Sequence, residues 1–321
     1  MLTAKDIYGV CALPPTPCKE GDDGWDDPNS VDLEESALLV ENLIRGGVGM
    51  IGFCGTTGEC AALLYEEKRA LADTAVRVAR KRVPIFMGVT ALGTKEVIRQ
   101  MRGMKDIGVD GVFVGLPLWQ TPTIENAVRF FTDLSEAVPG MPVMIYANAL
   151  FFKSAFPTAF WEGVARRAPT VVTTKVTYPI QNIIEDVKVA GHQINFMPGE
   201  RTIYTFYRIF RDRMTALWST SAGCCGPEVT VALMDAISRD DEKRVDEIWA
   251  DLKSVPPFVP PGEWESFPYY NAQVEKWRAT ASGFVKAGPS RAPYYDLPEH
   301  WKRQAEAHGR AYAELRKKYV K

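Results

Sequence analysis

Short apolar runs recur along the chain, and each is followed by a longer stretch in which apolar residues return every three or four positions. Residues 8–13, 48–54, 84–89, 111–115, 142–146, 171–175, 193–197 and 214–219 are apolar and rich in β-branched and aromatic side chains. This predicts strands covered on both faces, because a half-exposed strand would alternate apolar and polar positions. The stretches between them predict helices. Asp32 with Glu35 three residues on is a capping-box pattern that opens a helix to Arg45. Glu66 and Glu67 occupy the first turn of a helix running to Arg80, and Thr94 caps one running to Ile107. Further helices are predicted over 123–138, 158–167, 178–190 and 201–211, and from Glu228 onward. Eight strand–helix units in series predict an α/β fold, a (β/α)8 TIM barrel, over residues 1–239. Residues 240–321 predict helices over 240–254, 267–286 and 298–319 joined by proline-rich loops. They read as a C-terminal helical extension packed on the barrel.

Composition narrows the classes. The chain has 321 residues, 46% hydrophobic and 24% charged, enough to bury a large core. A net charge of −2 argues against nucleic-acid binding. No apolar run is long enough for a membrane span, and the N-terminus lacks the apolar stretch of a signal peptide. The six cysteines form no CxxC pair and several lie inside apolar runs, so free buried thiols in a reducing cytoplasm are expected. His192, His300 and His308 have no ligand-like spacing to them, and no metal site is expected. The segment 47–52 matches GxGxxG but runs from a helix into a strand, the reverse of a dinucleotide site, and reads as a helix C-cap with tight packing. The acidic segment 22–27 reads as a solvated loop.

The chemistry is found at strand ends, where a barrel of this kind places its catalytic groups. Gly55-Thr56-Thr57-Gly58-Glu59 closes the second strand, Tyr146 the fifth and Lys175 the sixth. A lysine at a strand end is ordinarily a surface residue, and a tyrosine there a core residue with a satisfied hydroxyl. Facing one cavity, they read differently. Desolvation turns a lysine into a nucleophilic amine, and a phenol beside it relays the protons of imine chemistry. Thr56, Thr57 and Gly58 offer hydroxyl and N–H donors to a substrate carboxylate without placing a cation beside Lys175. Together these parts describe a Schiff-base enzyme acting on a 2-oxo acid. Glu59 is expected to be structural, bonding the turn that holds the two threonines. Trp119 and Trp218, both at strand ends, are candidates for an aromatic pocket wall.

The Gly-Thr-Thr-Gly-Glu turn, Tyr146 and Lys175 on consecutive units resemble the signature of the class I pyruvate-dependent aldolases, the superfamily of dihydrodipicolinate synthase and N-acetylneuraminate lyase. The barrel and the helical extension agree with it. The chain departs from the synthase branch after the tyrosine. Tyr146-Ala147-Asn148-Ala149-Leu150-Phe151-Phe152-Lys153 lacks that branch's arginine, and Leu118-Trp119-Gln120 replaces its tyrosine pair. Both changes favour an aromatic substrate part over an amino acid or a sugar. Tyr146-Ala147-Asn148, Phe156-Pro157, Trp218-Ser219, Cys225-Gly226-Pro227, Tyr270-Asn271 and Lys286-Ala287-Gly288-Pro289 are similar to the trans-o-hydroxybenzylidenepyruvate and trans-2'-carboxybenzalpyruvate hydratase-aldolases of aromatic hydrocarbon breakdown.

This resemblance implies cleavage of an ortho-substituted benzylidenepyruvate to pyruvate and an aromatic aldehyde. It implies a covalent imine on Lys175, proton relay by Tyr146, no metal or organic cofactor, and a homotetramer. Asn148 and Asn271 become candidates to orient the hydrating water or the ring substituent. A 2'-carboxyl substituent is slightly preferred over a hydroxyl on overall likeness, with Lys153 and Arg201 as cations to meet it. Another lyase or synthase of the superfamily, or a non-catalytic 2-oxo-acid-binding barrel, are the competing readings.

Overall fold

A computed structural model describes residues 1–177 and 183–320. Eight parallel strands form the barrel: β1 (Gly9–Ala12), β2 (Met50–Phe53), β3 (Ile85–Gly88), β4 (Gly111–Val114), β5 (Val143–Ala147), β6 (Val171–Val176), β7 (Asn195–Met197) and β8 (Ala216–Ser219). From β1 to β7 each strand pairs with its sequence neighbours, and β1 also pairs with β8. The ring closes between β7 and β8 through a parallel bridge from Gly199 to Trp218. Nearly every strand residue is buried, so the continuous apolar runs follow from strands flanked by barrel interior and helices alike.

Around the strands lie α1 (Leu33–Arg45), α2 (Tyr65–Ala79), α3 (Thr94–Ile107), α4 (Ile124–Ala137), α5 (Ala149–Phe152), α6 (Thr158–Arg167), α7 (Ile184–Ala190), α8 (Ile203–Ile209), α9 (Thr220–Cys225) and α10 (Glu228–Ser238). The C-terminal residues form α11 (Glu242–Ser254), α12 (Phe267–Ser282) and α13 (Glu299–Lys317). The first part of the helix expected over 178–190 lies outside the described residues.

Local differences from the expected elements have local causes. The Asp32 carboxylate accepts the Glu35 N–H, but the Glu35 carboxylate accepts the Lys286 N–H instead of returning to the cap, so a tertiary partner replaces half of the expected box. Gly93, not Thr94, is the N-cap of α3, and no side chain caps it. Two short helices absent from the sequence reading follow β5 and β8. The Asn148 and Ser219 side chains cap them by accepting N–H groups two or three residues ahead. The helix expected to reach Lys286 stops at Ser282 because Gly283 takes the left-handed conformation.

The extension is joined to the barrel by buried charge. Arg278 of α12 donates to Glu275, to Thr220 and Ser221 of α9, and to His308 Nε2 of α13. A guanidinium only donates, so His308 Nε2 accepts and the proton sits on Nδ1, which donates to the Pro256 carbonyl at 2.8 Å. Burial, reinforced by Arg278, lowers the His308 pKa to about 3, so the ring is neutral in the folded state.

Unfolding restores an ordinary histidine that binds a proton below about pH 6.5. Between that pH and about 3 the unfolded chain holds the extra proton, so this contribution to stability is complete above pH 6.5 and falls with acidification. From pH 7 to pH 5 the expected loss is about 2 kcal/mol. Urea midpoints of the protein and of His308→Gln across that interval measure it. An identical pH slope in the two would remove the assignment.

Candidate active site

Tyr146 and Lys175 are direct partners in the β5–β6 register. The pairing is held on both sides, since Thr174 donates to the Ile145 carbonyl at 3.1 Å and Thr177 to the Ala147 carbonyl at 2.7 Å. Lys175 is buried, 6% exposed. Its Nζ lies 4.0 Å from the Tyr146 ring centroid and 4.1 Å from that of Trp218. The Trp218 indole N–H donates to the Val176 carbonyl at 2.8 Å, which fixes the ring against the amine. Gly199 permits this approach, because a Cβ there would stand 2.6 Å from the indole. The Tyr146 ring stacks on Phe113 at 4.7 Å and meets the edge of Phe152 at 5.1 Å. Burial pushes the Cys11 thiol up to about 12, opposed by Lys175, so this thiol stays protonated beside the amine.

The Gly-Thr-Thr-Gly turn sits across from this pair. The Thr56 hydroxyl and the Tyr146 hydroxyl are hydrogen-bonded at 3.2 Å, so Thr56 joins a two-hydroxyl chain with the phenol. Thr57 is buried, and it lines one small cavity with Gly55, Thr56, Gly58, Tyr146 and Lys175. Among the described residues the N–H groups of Thr57 and Gly58 have no acceptor, which leaves donors for a carboxylate. Gly58 admits no side chain, since a Cβ would lie 2.7 Å from the Cys54 nitrogen.

Non-glycine residues in the left-handed region bracket the turn, Cys54 and Glu59, both at φ 54°. Such backbone costs about 1–3 kcal/mol each and persists only where surroundings enforce it. Glu59 supplies the enforcement. Its carboxylate is ion-paired with Lys276 at 2.7 Å and with Arg291 at 2.5 Å, and all three side chains are buried. Arg291 also donates to the Thr16, Pro17 and Ser30 carbonyls. Glu59 is thus structural as expected, but its partners come from the C-terminal extension and not from the turn.

A larger cavity of about 670 Å³ opens beside Tyr146 and Thr56. Its apolar lining includes Leu118, Phe151, Phe152, Tyr269 and Tyr294. Asn271 lines it too, with a buried Oδ1 that has no hydrogen-bond partner among the described residues. Asn148 is buried and its Oδ1 is committed to the cap of α5. Trp119 is 86% exposed, and Leu118 rather than Trp119 faces the cavity. Arg201 turns away from this cavity, its guanidinium 4.6 Å from the Trp264 ring centroid, and Lys153 is an exposed residue ending α5. Among the described residues no cluster of His, Cys, Asp or Glu is arranged to hold a metal ion.

Sequence reasoning missed Phe113 and Lys68, which line these cavities, and the two cations on Glu59. The Phe-Phe pair after Tyr146 was the available signal for the aromatic wall.

The Dihydrodipicolinate synthetase family profile matches residues 24–192. The chain belongs to this family. It is 41% identical to the trans-O-hydroxybenzylidenepyruvate hydratase-aldolase of Pseudomonas putida, with 100% of this chain and 97% of the relative covered. It is 32% identical to the trans-2'-carboxybenzalpyruvate hydratase-aldolase of Nocardioides sp. (strain KP7), covering 99% and 97%. The solved structure of PhdJ bound to a substrate intermediate superposes with a TM-score of 0.95 at 32% identity over 99% of both chains. As a family member with hydratase-aldolase relatives along its whole length, the chain is an enzyme of the lyase class.

Proposed function

We propose that this family member is a Schiff-base hydratase-aldolase converting an ortho-substituted trans-benzylidenepyruvate and water to an aromatic aldehyde and pyruvate. The observation that carries the reading is the Lys175 amine, buried between the Tyr146 and Trp218 rings and next to a largely apolar cavity. The whole-length likeness to hydratase-aldolases supports it. The aromatic lining disfavours a polyhydroxylated sugar acid, which would strand its hydroxyls against Leu118, Phe151 and Phe152. The same reading carries with it a cytoplasmic homotetramer serving aromatic hydrocarbon breakdown.

Neutral Lys175 attacks the C2 carbonyl while the substrate carboxylate rests on Thr57 and Gly58. Tyr146, linked to Thr56, passes protons as the carbinolamine forms and loses water. The resulting iminium draws electrons from the C3–C4 double bond and makes the benzylic carbon electrophilic. Water adds there, its second proton going to C3. The new hydroxyl then loses its proton, the C3–C4 bond breaks, and the electron pair flows into the iminium to give an enamine. The aldehyde departs. Protonation of the enamine at its terminal carbon and hydrolysis of the imine release pyruvate and restore Lys175. The imine is the electron sink, so the sequence of steps needs water and proton transfers alone.

The enone chromophore provides the test. Enzyme added to an ortho-substituted benzylidenepyruvate is expected to abolish the conjugated absorbance, with one pyruvate and one aldehyde formed per enone lost. An unchanged spectrum, with turnover of a sugar acid instead, would overturn the reading.

A further inference from the structure

The 670 Å³ cavity that Tyr146 and Thr56 line is also lined by Lys68 of α2. Lys68 is 4% exposed. Its Nζ has one hydrogen-bond partner, the Cys60 sulfur at 3.3 Å, and no ion pair among the described residues. The neighbouring carboxylate, Glu96, also lines the cavity and interacts with the Lys68 charge at a distance. Among the described residues it makes no direct ion pair with Lys68, since one oxygen lies on Arg99 Nε and the other is shared by Arg99 Nη2 and Gln100. Of the two other buried lysines, Lys276 has Glu59 and the Pro289 carbonyl, and Lys175 is the amine held between two aromatic rings. An ammonium removed from water and left on a thiol, a weak acceptor, is unfavourable unless an anion joins it. The Asn271 Oδ1 in the same cavity is an acceptor and cannot serve Lys68 as an anion. A direct anionic partner is what the Lys68 ammonium lacks among the described residues, and a ligand in the cavity it lines can supply one.

We infer that Lys68 is a specificity-determining residue that binds an anionic ring substituent of the substrate, which makes the ortho-carboxylate compound the preferred one. The inference rests on the hydratase-aldolase reading and adds the substituent to it. A carboxylate forms a charge-assisted hydrogen bond to the ammonium, whereas a neutral phenol offers Lys68 a weaker acceptor and donates to Asn271 instead.

The test compares kcat/KM for 2'-carboxy-, 2'-hydroxy- and ring-unsubstituted benzylidenepyruvate in the protein, in Lys68→Met and in Lys68→Arg. The protein is expected to favour the carboxylated over the unsubstituted substrate by about 10- to 100-fold. Lys68→Met is expected to erase that ratio, mainly through KM, and Lys68→Arg to restore most of it. No preference for the carboxylated ring, or a preference that Lys68→Met leaves intact, would overturn the inference. So would a preference for the hydroxylated ring that Lys68→Met does not change. A measurement on the unaltered protein covers the case of a variant that does not fold: 2-carboxybenzaldehyde is expected to inhibit at least about tenfold more tightly than benzaldehyde, and equal inhibition counts against Lys68. Borohydride trapping of pyruvate on Lys175 separates the two levels. Absence of trapping strikes the Schiff-base reading itself, while trapping without ring selectivity strikes only the assignment of Lys68.

Discussion

Lys175→Ala is expected to abolish reductive capture of pyruvate and to lower turnover of the aryl enone by on the order of 10⁴-fold or more. In the proposed mechanism no other group takes over the step, because the amine is both the nucleophile and the atom that carries the electron sink. Thr174 and Thr177 hold the β5–β6 pairing independently of the lysine, so the strand survives its loss. The alanine variant also removes the amine from between two rings and leaves Tyr146 stacked on Phe113. Intact mass after borohydride reduction with pyruvate, with the modified peptide mapped, is the direct readout. A reduced adduct on Lys175 that disappears in the variant is the expected pair of results. An adduct of the same yield on another lysine, such as the buried Lys68, would relocate the nucleophile and undo the mechanism.

Tyr146→Phe is expected to reduce kcat by about 10²- to 10⁴-fold with a small change in KM. The substitution is clean because the ring and the hydroxyl do separate jobs. The ring contacts Phe113, Phe152 and the Lys175 amine, and phenylalanine reproduces all three. The hydroxyl contacts Thr56, and only that link is lost. Single-turnover measurements should show slowed imine formation with pyruvate binding preserved. Near-normal imine formation would assign the proton transfers to water or to Thr56 alone.

The barrel was legible because its signal is repeated and local. Each strand is a short apolar run, each helix an amphipathic stretch, and the alternation leaves few topologies. Lys175, Tyr146 and the Gly-Thr turn were legible for a related reason. Polar residues that end apolar runs are conspicuous, and the fold rule sends those ends to one face. The short helices α5 and α9 were not legible, because a single capping side chain creates a turn too short to have a period.

Side-chain direction and distant partners left no such trace. Trp119 and Leu118 are neighbours in sequence, and the loop after β4 turns the leucine to the cavity and the tryptophan to solvent. Glu59 belongs to a predicted turn, but the cations that hold it arrive from Lys276 and Arg291, more than two hundred residues later. An ion pair between remote segments has no periodicity to reveal it. Lys68 looks like an ordinary helix lysine in a charged first turn, and it is buried in a cavity that α12 helps to line through Asn271 and Gln273. The sequence by itself therefore determined the barrel and the placing of Tyr146 and Lys175 at neighbouring strand ends, since strand ends and apolar periods are written along one dimension. Tertiary structure alone decided which side chains line the pocket and which charges stay unpaired there, because those depend on which elements meet in space.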